Sequence, residues 1–395
     1  MFLGLVGLGL LTLSFLLSTL LCGLARRWAP RCGLVDHPGG HKGHTTPTPL
    51  GGGVAIWLTT VVVIGLGAAI AGLCPDLLPG PLARHVGGFW TRSAELAEIL
   101  GLATVIMLMG LTDDRGPLAW QLRLGIQVGL AAVLAGSGVR VTLFWPFTNP
   151  VLGGAVTVLW VVGLTNAFNM LDNMDGLAAG VGVIAALLFA GAQVAVGGLF
   201  VPAVLLVLVG TLGGFLVHNR HPARLFMGDA GSNFLGFTLG ALTVAGTYFR
   251  YEPSYSPYSV LAPLLVMAVP IYDAMSVIVI RLREGRSPFQ GDRRHFSHRL
   301  VERGLTPPQA VRTIELVTLA GGLGALLLHR LGPAGACVVV AQTASLLGVV
   351  AILEAAGPPP PSPSSTETRP EGVHGQATPA TRGAREAGAE AGARL

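Results

Sequence analysis

The side chains with the most chemistry to offer fall in four polar clusters separated by long apolar runs. They are the pair Asp113 and Asp114 in GLTDDRGP, the run NAFNMLDNMD from Asn166 to Asp175, Asp229 in FMGDAGSN, and HFSHR from His295 to Arg299. Two adjacent carboxylates repel each other and are costly beside lipid, so they call for a cation. Taken alone, the pair is equally well read as a solvated loop turning at Gly116-Pro117. In the second cluster Asn166, Asn169, Asp172 and Asp175 recur at spacing three, which lines one helical face with a polar stripe that needs a partner. A plainer account is capping of the helix that begins near Gly176.

Asp229 stands between small residues just before an apolar run. Gly228 and Gly231 let a ligand approach the backbone, and free amides at a helix start attract anions. That combination suits a phosphate beside a hard cation such as magnesium, which takes one or two protein carboxylates and completes its shell with phosphate oxygens and water. The loop 281–311 is the most basic in the chain and contains Asp292, Arg293, Arg294, His295, His298 and Arg299. Arginine forks grip phosphate, and histidine donates to phosphate oxygens or exchanges protons near neutrality. A cytoplasmic loop is basic for other reasons too, but that explains the arginines and not the histidines. The histidine pair alone is also half of a zinc site, yet no cysteine or HExxH partner accompanies it. Lys42 and His44 precede PTPLGGG, and Asp273 lies inside an apolar run after Pro270, with Arg281 as its expected partner.

These clusters must be carried by elements that cross a membrane. Apolar residues make up 51% of the chain and charged ones 11%, and apolar blocks recur along its length at the roughly 20 residues a spanning helix needs. Strand-period alternation is absent, so the expected fold class is all-α: a polytopic membrane bundle of about eleven helices. The expected spans are 2–24, 51–73, 97–111, 121–137, 151–166, 177–197, 200–217, 232–249, 258–281, 312–330 and 334–354. With the N-terminus outside and the C-terminus cytoplasmic, sixteen of the 25 Lys and Arg residues fall in inside loops, five in outside loops and four in the tail. All four clusters then emerge on the cytoplasmic face of the plasma or inner membrane.

Residues 1–24 lack a basic leader and are followed by Arg26 and Arg27, so they read as a retained span and not as a cleaved signal. The four cysteines show no CxxC spacing, which argues against a disulfide framework or a zinc site. Residues 1–356 form the expected membrane domain. From Gly357 the chain turns Pro-, Ser-, Gly-, Ala- and Glu-rich, and residues 357–395 are expected to form a disordered cytoplasmic tail. The net charge of +5 follows from the inside loops and calls for no nucleic acid.

The segments LVDHPGGHKGHTTPTPLGGGVAI, GLTDD, NAFNMLDNMDGLAAG, MGDAGSNFLG and DRRHFSHRL, in this order and spacing, resemble the polyprenyl-phosphate N-acetylhexosamine-1-phosphate transferases from about Leu34 to Leu305. The LVD opening and the HxxHR loop look more like the enzymes that start O-antigen, enterobacterial common antigen or teichoic-acid linkage synthesis. The peptidoglycan branch, which transfers phospho-MurNAc-pentapeptide, is the nearest alternative. The chain departs from the family pattern at His41, where Arg is frequent, at Arg123 and Arg224, where Lys is frequent, and at Asn173-Met174, where Gly is common.

The resemblance implies transfer of a sugar-1-phosphate, foremost GlcNAc-1-phosphate, from a UDP-sugar to polyprenyl phosphate with release of UMP, the first step of a cell-envelope glycopolymer. It implies magnesium, with manganese as a substitute, and as partners a UDP-N-acetylhexosamine and a polyprenyl phosphate, with a second copy of the chain as a further candidate. Asp229 and Asn169 are the expected metal ligands, and Asp113 and Asp114 the catalytic pair. Lys42, His44, Asn166, Asp172, Asp175, His295, His298 and Arg299 are the expected substrate-binding residues. Direct attack by the lipid phosphate is simpler than a two-step route through an aspartyl-phosphate. An ion-coupled transporter is the competing class, but carriers place polar groups near the bilayer midplane in repeated halves, and no repeat is visible here.

Overall fold

The computed structural model of the protein describes residues 2–37, 46–142, 149–249, 255–288 and 294–355. Lys42, His44, Asp292 and the tail 357–395 lie outside the described residues. In chain order the helices are α1 (Phe2–Trp28), α2 (Gly52–Leu73), α3 (Gly80–Arg115), α4 (Trp120–Gly136), α5 (Pro150–Leu171), α6 (Leu177–Ala195) and α7 (Phe200–Asn219). They are followed by α8 (Gly228–Ala245), α9 (Ala262–Val266), α10 (Ala268–Arg283), α11 (Phe296–Glu302), α12 (Pro307–Gly322) and α13 (Pro333–Ala355). Two short antiparallel strands, β1 (Val35–Asp36) and β2 (Thr48–Pro49), frame the 38–45 segment.

Eight helices among the described residues are long and apolar enough to cross a membrane. Pro257–Val266 and Ala268–Arg283, bent by 56°, make a ninth if they count as one span. The protein is thus an all-α polytopic membrane protein. The two remaining expected spans coincide with α4, of 17 residues, and α8, of 18 residues with Asp229 in its first turn, which fall short of that measure. The 97–111 span proves longer than its apolar core suggests. At 36 residues α3 is about 54 Å long, more than a bilayer core requires, and it carries Asp113 and Asp114 in its last turn. The bend before α10 has a local cause: Pro270 has no amide to offer the carbonyl of Val266, and the helix breaks at Met267.

The interior is organised around α8, every residue of which from Ala230 to Thr243 is buried, against α2, α3 and α5. Small residues make this approach close. A Cβ on Gly110 would sit 2.3 Å from the carbonyl oxygen of Asp229, so α3 rests on the first turn of α8. Polar links add direction: Trp160 Nε1 donates to Thr243 Oγ1 at 2.8 Å and Ser18 Oγ to the Thr211 carbonyl at 2.6 Å, each contributing about 0.6 kcal/mol in such a setting. α6 and α7 are 72% and 67% buried, whereas α1 and α13 are 17% and 22% buried and form the periphery. One end of the bundle gathers the entry to α8. There Phe226 pairs with Leu50, donating to Pro49 O at 2.9 Å and accepting from Gly52 N at 3.0 Å.

Candidate active site at one end of the bundle

Asp113 and Asp114 are neighbours in sequence but make different contacts from the last turn of α3. The helix ends because Gly116 is extended ahead of Pro117, which disfavours helical geometry in the residue before it. Asp113 Oδ1 accepts from Leu118 N at 2.6 Å, steadying that turn, and its Oδ2 pairs with Arg123 one turn into α4. Asp114 points to α8 instead, accepting from Asp229 N at 2.7 Å and Ala230 N at 3.1 Å. It satisfies amides that the start of α8 would otherwise leave bare. Gly228 makes this possible: its φ is +69°, and a Cβ there would lie 2.7 Å from Asp114 Oδ2.

Asp229 therefore stands on a braced helix start. Its Oδ1 accepts from Asn169 Nδ2 at 2.8 Å, and its Oδ2 lies 3.4 Å from Arg123 Nη1, so one guanidinium bridges Asp113 and Asp229. The Asp229 side chain is 34% exposed and that of Asp113 only 5%, so Asp229 is the more accessible of the two carboxylates. Asn169 Nδ2 also donates to Ser232 Oγ at 3.0 Å.

Behind this corner runs a relay of amides. Asn166 donates to Gln127 Oε1 at 2.6 Å, Gln127 to Asn233 Oδ1 at 3.2 Å, and Asn233 to the Asp229 carbonyl at 2.8 Å. Asn166 is thereby turned into the packing that supports Asp229. Gln127 and Asn233 are not among the residues that the four clusters single out. The available signal was spacing: each follows a site residue, Arg123 or Asp229, by four positions on an otherwise apolar helix.

The 172–176 loop closes one flank. Asp172 ends α5 and is half-buried; loss of water around it, with repulsion from Asp114 and Asp175, pushes its carboxyl up to about 7. Asp175 Oδ2 meets His221 Nδ1 at 2.9 Å and accepts from Ala223 N at 3.0 Å, tying this loop to the segment after α7.

The fourth cluster is joined to the second through Ser297, whose hydroxyl donates to Asn173 Oδ1 at 2.5 Å. His295 is buried, with Nδ1 3.0 Å from Asp273 Oδ2, and Phe296 N donates to Asp273 Oδ1 at 2.6 Å. Asp273 is thus engaged by His295 and Phe296, whereas Arg281, its expected partner, donates to the Pro288 carbonyl at 2.6 Å. The His298 ring lies 6.5 Å from that of His295. Arg299 turns away toward Ser276 and Glu354.

The structure therefore brings Asp113, Asp114, Asn169 and Asp229 into one corner. It places Asn166 in the supporting relay and Asp172, Asp175 and the 295–299 segment along one flank. Among the described residues no three His, Cys, Asp or Glu side chains form a ready cage for a metal. Magnesium needs no such cage, and Arg123 shows that Asp113 and Asp229 already converge on one positive group. The donor set fits a hard cation shared with phosphate oxygens.

Helical membrane architecture and an acidic, amide-lined corner define the class, and the chain belongs to glycosyl transferase family 4, whose sequence model matches residues 96–247. Over 321 residues it is 31% identical to a probable undecaprenyl-phosphate N-acetylglucosaminyl 1-phosphate transferase of Bacillus subtilis (strain 168), covering 80% of this chain and 83% of that protein. Over 358 residues it is 33% identical to the decaprenyl-phosphate N-acetylglucosaminephosphotransferase of Mycolicibacterium smegmatis, covering 84% and 82%. Over 324 residues it is 30% identical to the undecaprenyl-phosphate alpha-N-acetylglucosaminyl 1-phosphate transferase of Escherichia coli (strain K12), covering 78% and 79%.

Proposed function

We propose that this protein transfers GlcNAc-1-phosphate from UDP-GlcNAc to a polyprenyl phosphate, giving polyprenyl-diphosphate-GlcNAc and UMP. The observation that carries the reading is the convergence of Asp113, Asp229, Asn169 and Arg123 at the end of an apolar bundle. An oxygen of the lipid phosphate attacks the β-phosphorus of the nucleotide sugar. A new phosphorus–oxygen bond forms there, and the bond from that phosphorus to the bridging oxygen breaks, leaving with UMP. Two anionic reactants must meet, so the work of the protein is positioning and charge compensation. A phosphate monoester with its second pKa near about 6 is already largely deprotonated at neutral pH, so a protein base matters little.

Asp229 and Asn169 are the residues that would hold magnesium, with manganese as a substitute; the bound ion supplies charge compensation for the diphosphate. Asp113, anchored by Leu118 N, orients the lipid phosphate at the membrane edge, while Arg123 is at hand for a phosphate oxygen. Asp114 keeps the start of α8 in place. Asp172 and Asp175 border the nucleotide side, and His295 and His298 the diphosphate and sugar. Lys42 and His44 are proposed as further substrate-binding residues on the strength of the sequence alone.

The basic residues of the loops support a cytoplasmic site, an external N-terminus and eleven spans, counting α4 and α8 with the nine. Nucleotide sugars are cytoplasmic, so the reaction needs that orientation. The relatives carry N-acetylglucosamine in their names, which supports GlcNAc over phospho-MurNAc-pentapeptide. The test is UMP release by the purified chain with magnesium and polyprenyl phosphate, offered UDP-GlcNAc, UDP-GalNAc or the MurNAc-pentapeptide nucleotide in turn. UDP-GlcNAc is expected to be fastest; faster turnover of either other donor overturns the sugar assignment.

A further inference from the structure

The 295–299 segment is short, and its hold on the bundle comes from side chains on other elements. Asp273 of α10 takes His295 and Phe296, and Asn173 takes Ser297. The third hold comes from the far end of the chain. Glu354, in the last turn of α13, receives Arg299 Nη2 at 3.1 Å on both carboxylate oxygens and the Tyr272 hydroxyl at 2.7 Å on Oε2. Its main-chain carbonyl accepts from Arg303. Tyr272 in turn packs edge-on against Phe296, with ring centroids 6.0 Å apart. The Arg299 and Glu354 side chains are 11% and 8% exposed, and Ser276 Oγ accepts a further Arg299 proton at 2.8 Å.

Arg299 Nε and Arg303 Nη1 are buried without an acceptor among the described residues. Glu354 accordingly holds both guanidinium groups, Arg299 through its carboxylate and Arg303 through its main-chain carbonyl, and a buried ion pair such as Arg299–Glu354 loses most when one partner goes. Drawing Arg299 out to a substrate phosphate would strip Glu354 of its partner.

We propose that Glu354 is a positioning residue: the end of the last helix, acting through Arg299 and Tyr272, sets the place of the histidine-bearing 295–299 segment beside the sugar diphosphate. Arg299 then acts as a strut and the histidines make the contact, which rests on the transferase reading above. It brings α13, otherwise the lipid-facing margin of the bundle, into the working parts of the protein.

The full chain is compared with Glu354→Gln, which keeps the shape and removes the charge, and with Glu354→Asp, which keeps the charge. Hydrogen exchange read by mass spectrometry needs no substrate. Amides of 295–303 are expected to exchange about ten-fold faster in Glu354→Gln, with those of 226–236 unchanged. In the UMP-release assay KM for the UDP-sugar is expected to rise about ten-fold in Glu354→Gln while KM for polyprenyl phosphate stays within about two-fold, and Glu354→Asp is expected to recover most of the loss. Unchanged exchange across 295–303 in Glu354→Gln overturns the proposal, as does an equal loss in both KM values. If Glu354→Gln does not fold, Tyr272→Phe removes one hydrogen bond to the same carboxylate. Faster exchange at 295–303 in that variant supports the proposal and unchanged exchange overturns it. A wild-type chain that releases no UMP defeats the transferase reading and leaves the exchange result standing.

Discussion

The corner of Asp113, Asn169 and Asp229 and the 295–299 segment beside it are held in opposite ways. In the corner, helix ends do the placing. α3 carries Asp113 in its last turn, Asp229 stands in the first turn of α8, whose amides donate to Asp114, and the glycine contact between α3 and α8 fixes their separation. The 295–299 segment runs into the short helix α11, and Asp273, Asn173 and Glu354 pin it from three other parts of the chain. Substitutions in the corner should therefore change chemistry with little movement. Changes around 295–299 should move the segment and alter substrate binding first.

Four substitutions sharpen that contrast. The largest effect is expected for Asp229→Asn, which keeps the Asn169 contact within reach but removes the exposed charge. UMP release should fall about a thousandfold, with a higher magnesium concentration needed for half-maximal rate. A near wild-type rate would remove Asp229 from the metal. Asp113→Asn should lower kcat about a hundredfold and leave KM for the UDP-sugar nearly unchanged, because the role proposed for Asp113 is to orient the lipid phosphate. A matching rise in that KM would place Asp113 on the donor instead.

Asp114→Asn separates the two neighbours. An amide oxygen still accepts a hydrogen bond at the start of α8 but more weakly, so the expected loss is about 1 kcal/mol of stability, read as a lower thermal midpoint, with a smaller fall in rate than for Asp113→Asn. Equal rate losses for the two would erase the division of labour between them. Asp172 gives the smallest effect, one of pH. Its carboxyl is raised from 3.8 to about 7, so the folded protein favours the protonated form. That stability is full below about pH 4 and is lost as pH rises through about 7. Asp172→Asn should therefore gain thermal stability relative to wild type at about pH 8 but not at about pH 4, and an equal difference at both would contradict the shift.

Much of this arrangement was legible in the sequence, for physical reasons. Charged and amide residues are expensive in apolar helices, so Asp113, Asn169 and Asp229 stood out, and the basic loops suggested which face they share. The division between Asp113 and Asp114 was not legible, because it depends on which side of one helical turn meets α8. Pairings that depend on packing were hidden as well. Arg281 is the nearer basic residue to Asp273 in sequence, yet His295, 22 positions beyond Asp273, is the one that reaches it. Glu354 stands 55 residues beyond Arg299, at the end of an expected span, and no spacing in the sequence links the two. The apolar blocks placed most helices but undercut α3, whose first turns include charged residues that a helix beyond the hydrocarbon can carry.

The central claim is that a phosphosugar, and not a bare sugar, moves to the lipid at the corner around Asp229. UDP-GlcNAc carrying label at its β-phosphorus, incubated with the purified chain, magnesium and polyprenyl phosphate, tests this directly. The label is expected in the lipid diphosphate, matched by unlabelled UMP. Label that stays with the nucleotide, released as UDP, would contradict it.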